Sequence, residues 1–357
     1  MYLHLGLPKT GTTYLQQVLS NNRESLRDQG LLYPGALRDH FLPVQDVMQH
    51  KFRDHYDERA AGTWSPLLQE LRGWQKPALI SHEIMCLAQP DQIKRVIGDL
   101  ADREVRVLVT ARDLLRQLPA VWQEAVKNGE SDTLQAFVDR VKRNADSDAA
   151  PTRGFWAYQD LPRILGRWEE FIPADRIFVV TVPPSGTAPD LLWSRAAEVL
   201  GVELSAEQVE QPTSNTSLGA AEAEFLRRVN EQVSDTLDWP IYREQIKRNV
   251  VRRLIAKGRD NRRITLRPSD AEWAVEYSQR VVATLANRRY QLVGNLEDLR
   301  SSLPDLHDGA VAELPEEEVV EAGVVAVAGL LRRIGNEHRP GSDTPSAGRT
   351  LRARRAP

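Results

Sequence analysis

Two rhythms of apolar and polar positions alternate along the first half of the chain. Short, nearly continuous apolar runs occur at "YLHLGL" (2–7), "PALISHE" (77–83), "EVRVLVTAR" (104–112) and "RIFVVTVP" (176–183). Between them lie longer segments whose apolar residues recur at helical spacing, such as "TTYLQQVLSNNRESLRDQG" and "DLLRQLPAVWQEAVKNG". Val/Ile/Leu-rich strands alternating with helices predict βαβ units, and so an α/β fold with a parallel sheet covered on both faces by right-handed crossovers. From about residue 187 the pattern becomes mainly helical, over 188–200, 217–234, 240–257 and 268–286, with "LSAEQVEQPTSNTSLG" as a loop. These segments predict one α/β domain over 1–305.

A last periodic segment, "PEEEVVEAGVVAVAGLLRRIGNEH" (315–338), predicts a helix after a linker that starts at 306. Its acids come first and its arginines near the end, as the helix dipole favours. It is too short and too rich in Ala and Gly for a membrane span, so it is expected to dock on the domain or to pair two copies as a homodimer. The remaining "RPGSDTPSAGRTLRARRAP" (339–357) is polar and rich in Pro, Gly and Arg, a composition that predicts disorder.

Composition narrows the function classes. The 357 residues are 41% hydrophobic and 27% charged, with net charge −3, which gives no reason to expect nucleic acid or an anionic membrane as partner. One cysteine, Cys86, rules out an intramolecular disulfide and a cysteine-held zinc. The start shows no basic segment followed by an apolar run, and no run of about 18 apolar residues exists. The expectation is a cytoplasmic protein.

The chemistry begins in the first loop. Gly6 to Thr13 reads G-L-P-K-T-G-T-T, with the two glycines at the spacing of a phosphate loop G-x-x-x-x-G-K-[ST]. Thr12 stands where that motif has lysine, and the lysine, Lys9, lies inside the loop. Strand, glycine loop and helix follow in the right order, so backbone N–H groups and a helix N-terminus would converge on an anion. Without the usual lysine or a clear partner acid for magnesium, β/γ-phosphate chemistry is poorly served. Read blandly, the stretch is a Gly/Thr-rich turn capping a helix.

P-K-T-G-T-T after a first strand resembles the 5′-phosphosulfate loop of sulfotransferases. The resemblance implies a P-loop-like sulfotransferase fold. It also implies 3′-phosphoadenosine 5′-phosphosulfate as donor, 3′,5′-adenosine bisphosphate as product, no metal, and a donor site of Pro8, Lys9, Thr10, Gly11, Thr12 and Thr13. "VLVTARDLLRQLPAVWQEAVKNG" is similar to the family's 3′-phosphate segment, with Arg112 at the arginine that ends the strand. The family usually has a serine eight residues on, and here that residue is Ala120; Gln117, Gln123 and Lys127 are the substitute donors. "LLYPG", "WQEAVKN", "DLPRILGRW" and "VVTVPPSG" also look like a bacterial, actinomycete-type branch, and the resemblance covers roughly residues 1 to 300.

Transfer to a hydroxyl or amine needs a base for the attacking atom and a cation for the leaving phosphate. Lys9 suits the second role. For the first, the second run ends in "ISHE", at the sheet edge where such sites gather. Related sulfotransferases place a His or Glu base in this region, so Glu83 is favoured over His82, with strand alternation expected to part them. Structural roles for both stay open.

Among other residues, His40, His50 and His55 fit no zinc spacing and are expected on the surface or in acceptor loops. Trp74, Trp122, Trp168, Trp193 and Trp273 are expected in the core, while Trp64 or Trp156 could flank the adenine or an acceptor. Ser217 reads as a helix cap and "AKGRDNRR" (256–263) faintly resembles a segment that closes over the 3′-phosphate. The leading expectation is a sulfotransferase acting on a small molecule or carbohydrate. A P-loop kinase or NTPase, and a sulfotransferase-like protein without turnover, are the alternatives.

Overall fold

A computed structural model describes residues 1–35, 40–147, 153–209, 218–234, 236–257, 264–300 and 314–337. Ser217, most of the basic cluster 256–263, and the tail 339–357 lie outside the described residues. Five strands form one sheet: β1 Tyr2–His4, β2 Leu79–Ser81, β3 Arg106–Ala111, β4 Ile177–Thr181 and β5 Gln291–Val293. All pair in parallel in the order β2-β1-β3-β4-β5, with Leu3 opposite Ile80 and Val107, Thr110 opposite Val180, and Val179 opposite Leu292. Helices cover both faces, and the α/β class with a mainly helical C-terminal part is as predicted.

Strand alternation sorts the core into two layers. Leu3, Val107, Val109, Ile177 and Val179 face one way, against Ile93, Val96, Ile164, Leu165 and Trp168. Tyr2, Leu79, Leu108 and Val180 face the other, against Leu15, Val18, Leu19, Leu192 and Trp193. Each fully buried aliphatic side chain of this kind stabilises by about 1.5–3 kcal/mol. A third apolar cluster lies beyond the sheet, where the Leu114–Lys127 helix meets Phe137, Trp156, Leu226, Val250 and Leu254. The C-terminal helix Glu316–Glu337 adds Ala322 and Ala326 to that cluster.

Several sequence expectations need correction. The second strand stops at Ser81, because His82 turns the chain into a 3₁₀ turn, Glu83–Leu87. β5 was missed: it has three residues, two of them exposed, and gives almost no apolar signal. Trp74 lies past the end of the Trp64–Arg72 helix, half-buried, and donates to the Pro77 carbonyl at 2.9 Å. Trp273 is also only half-buried. His40 is 1% exposed rather than on the surface; its Nδ1 accepts from the Ser81 amide at 3.1 Å and its Nε2 lies 2.8 Å from the Pro34 carbonyl. Trp64 and Trp156 are buried, with indole N–H groups on Asp99 and the Val141 carbonyl.

Candidate functional site

Strand order locates the site before any motif does. The chain leaves β1 for β2 on one side, then crosses back to β3 on the other. A crevice opens at such a reversal, beyond the carboxyl ends of the strands, and open α/β sheets bind ligands there. The loop after β1 carries P-K-T-G-T-T, the turn after β2 carries Glu83, and Arg112 follows β3.

The loop is held by its own polar groups and by β3. Thr110 donates its amide to the Gly6 carbonyl at 2.6 Å, and the buried Thr10 hydroxyl reaches the Leu7 carbonyl and the Thr110 hydroxyl, each at 2.5 Å. Thr10 is therefore a strut of the loop. Pro8 offers its carbonyl to Gln117 at 2.6 Å and Gln159 at 3.1 Å. Two glycines are required: Gly6 has φ +99° and a Cβ there would sit 2.9 Å from the Glu83 Cβ, while at Gly11, φ +86°, it would sit 2.4 Å from Leu192. Lys9 itself is left-handed, φ 67°, which few non-glycine residues tolerate.

Gly11 precedes the Thr12–Asn21 helix, whose first turn has neither a side-chain cap nor an acidic residue. Its first backbone bond runs from Leu15 to Gly11, so the amides before Leu15 have no helical acceptor. Thr13 is exposed beside them, whereas Thr12 is buried. Such an end attracts an anion.

Lys9 points along the Leu114–Lys127 helix to Glu124, 3.3 Å away. The same carboxylate takes Lys127 at 3.4 Å and Lys247 at 3.1 Å, and Lys247 also donates to Asn128 at 2.5 Å. Burial alone would raise the Glu124 pKa, but Lys9, Lys247 and Lys127 together pull it down to about 2. Three ammonium groups on one carboxylate leave the cluster net positive. Sequence reasoning missed Glu124 and Lys247. Glu124 and Lys127 are visible as a helical pair, but Lys247 comes from a π-helical stretch, Arg243–Val251, that no local signal ties to the loop.

Arg112 is placed beneath the loop. Its Nη1 donates to the Lys9 carbonyl at 3.2 Å, and its Nε is buried with no partner among the described residues. Burial, helped by Arg116, lowers its pKa to about 10. The cavity beside it, lined by Leu7, Trp156, Gln159 and Tyr277 among others, holds about 40 Å³, room for a water and not a nucleotide. Gln117 spends its amide on Pro8 and Gln159, Gln123 donates to Leu218, and Ala120, half-buried, has no polar group to offer.

At the β2 edge the two base candidates separate by their bonds. His82 Nδ1 accepts the Ile84 amide at 3.2 Å, which puts the ring proton on Nε2 and occupies the basic nitrogen. Burial lowers its pKa, with Glu83 opposing. The Glu83 carboxylate has no hydrogen-bond or ion-pair partner among the described residues. The Cα and Cβ of Glu83 lie against Gly6 of the loop. Asp113, the acid after β3, is buried and spent on capping its helix and pairing with Arg116.

Neither a protein-family model nor a curated protein matches this chain. Among solved structures, a sulfotransferase from Alicyclobacillus acidocaldarius is similar, with TM-score 0.37 and 14% identity over 68% of this chain and 98% of that one. The fold class stated above rests on the sheet order and helices of this chain. Among the described residues no helix is long and apolar enough to cross a membrane.

Proposed function

We propose that this chain is a sulfotransferase of the bacterial, actinomycete-type branch that its motifs resemble. It would take a sulfonate from 3′-phosphoadenosine 5′-phosphosulfate to a hydroxyl or amine of a small molecule or carbohydrate, in the cytoplasm and without a metal. The observation that carries the reading is the loop itself: uncapped helix amides and Lys9 follow β1, and Glu83, which has no hydrogen-bond or ion-pair partner among the described residues, packs its Cα and Cβ against Gly6. In this scheme the acceptor oxygen or nitrogen forms a bond to sulfur while the bond from sulfur to the bridging phosphate oxygen breaks. Glu83 takes the acceptor proton, and Lys9 with the loop amides stabilises the leaving phosphate. The donor's 5′ end suits the loop; its 3′ phosphate would need Arg112 to leave the Lys9 carbonyl and the small cavity to open.

The test is release of 3′,5′-adenosine bisphosphate from the donor, measured with a panel of hydroxyl and amine acceptors and with EDTA present. Acceptor-dependent release supports the proposal. ATP turnover that requires magnesium would move the assignment to a kinase, against which Asp113's existing bonds speak. Bisphosphate binding with no release for any acceptor would indicate a nucleotide-binding relative without turnover, the reading that Ala120 and the tied Arg112 favour.

A further inference from the structure

The C-terminal helix Glu316–Glu337 is apolar on two faces. Val319, Ala322 and Ala326 are buried on the domain. On the far side Val320, Val324, Val327, Leu331 and Ile334 are each 51–62% exposed, and they are five of the seven most exposed large apolar side chains among the described residues. Scattered exposed aliphatics need no explanation, but five in one row do. Their spacing alternates four and three residues, the heptad seam of two packed helices. Small residues flank the seam at Ala328 and Gly335, where they allow close approach of a second backbone, and a Cβ at Gly335 would meet nothing within 4 Å.

We infer that this face is the interface of a homodimer in which the two C-terminal helices pack antiparallel. Self-complementarity follows from the seam, which offers the same row to any copy of itself. Direction follows from charge. Glu316, Glu317 and Glu318 open the helix, Glu316 pairing with Arg228 of its own chain, and Arg332 and Arg333 close it, so an antiparallel pair sets each acidic end near the other copy's arginines. A parallel pair would stack like on like, and would also align the two helix dipoles. The pairing that matches seam residues sets Val320 against Leu331 and Val324 against Val327. The chain's own remaining segments are poor occupants: residues 339–357 carry one large apolar residue, Leu351, and 301–313 carry Leu303, Leu306 and Val311.

The test is the mass of the full-length chain in solution, by light scattering and sedimentation from about 1 to 100 µM. The expected mass is twice 40.3 kDa. Val327→Glu with Leu331→Glu should raise the dissociation constant at least about a hundredfold, since each dimer would bury four unpaired charges. Both side chains are exposed in the single chain, so the circular dichroism spectrum should stay unchanged, while the thermal midpoint should lose its dependence on protein concentration. A monomer at 100 µM, or a dimer that survives the double substitution, would overturn the inference.

Direction is tested by disulfide trapping, for which the one native thiol, Cys86, is buried and silent. A mixture of Val320→Cys and Leu331→Cys chains should cross-link, while either alone should not. In the antiparallel pair the two copies of residue 320 lie about 16 Å apart along the axis, beyond the roughly 7 Å that a disulfide spans. Cross-linking of Val320→Cys with itself would overturn the antiparallel arrangement.

Discussion

Replacing Arg112 by methionine separates a ligand-binding arginine from a structural one, because the structure sets opposite expectations for stability and for binding. Met keeps most of the buried stem and removes the charge. Among the described residues the guanidinium makes one bond, to the Lys9 carbonyl, and its Nε is buried without a partner. Its pKa falls from 12.5 to about 10. That lowering corresponds to about 3 kcal/mol against the charged form, to order of magnitude. Losing the charge-assisted bond to Lys9 costs about 1.5–3 kcal/mol. The two nearly cancel, so Arg112→Met should leave the midpoint of urea unfolding within about 1 kcal/mol of wild type, or raise it. Titration calorimetry should meanwhile show the 3′,5′-bisphosphate weakened about ten- to a hundredfold and the analogue lacking the 3′-phosphate barely changed. Clear destabilisation with equal loss for both ligands would refute this. Arg112 would then be a strut under Lys9, and the 3′-phosphate assignment would fall with it.

Three further outcomes are expected. Lys9→Ala should lower turnover about a hundredfold or more while changing bisphosphate affinity less than about tenfold, since its charge matters most as the leaving phosphate develops; equal losses would make it a binding residue only. Glu83→Gln should leave donor binding intact and cut turnover about 10²–10⁴-fold, with His82→Asn milder because its Nδ1 is already engaged; the reverse ranking would pass the role to His82. His4 is buried beside Ser81 and burial lowers its pKa from 6.5 to about 4. Its contribution is therefore full above pH 6.5 and is lost as pH falls toward 4, by about 3 kcal/mol. His4→Gln should flatten the stability–pH curve over that window by this amount, read by urea unfolding at pH 7 and pH 4; an unchanged slope would place the acid sensitivity elsewhere.

The fold was legible where burial wrote the sequence. β3 and β4 lie between two covered faces, where β-branched and aliphatic residues predominate, so their runs stand out, and β1 adds Leu3 between Tyr2 and His4. β5 is the opposite case: an edge strand of three residues with Gln291 and Leu292 exposed needs no apolar run and leaves no trace. The glycine loop after β1 was legible for a related reason. Gly6 and Gly11 are demanded by backbone angles and by the near contacts of Glu83 and Leu192, so their spacing records geometry directly.

The rest of the site was not legible because its partners come from far along the chain. Lys247 meets Glu124 across 123 residues, and Gln159 meets Pro8 across 151. A motif lists side chains by type; which of them remain free for a ligand depends on what the fold has already used. Thr10, Gln117 and Gln123 all look like phosphate donors in sequence, yet each has its polar group tied to a backbone carbonyl. His82 and Glu83 look equivalent as bases until the Ile84 amide claims one ring nitrogen, while no described residue hydrogen-bonds or ion-pairs with the carboxylate. The same reasoning bears on Lys9. Its ammonium is shared with Glu124 before any ligand arrives, so its charge is held at the loop and partly neutralised there. As charge develops on a leaving phosphate, Lys9 can shift from Glu124, which keeps Lys127 and Lys247 to hold it ionised. A lysine with such a standing partner is positioned in advance, and what it contributes to turnover should then exceed what it contributes to binding.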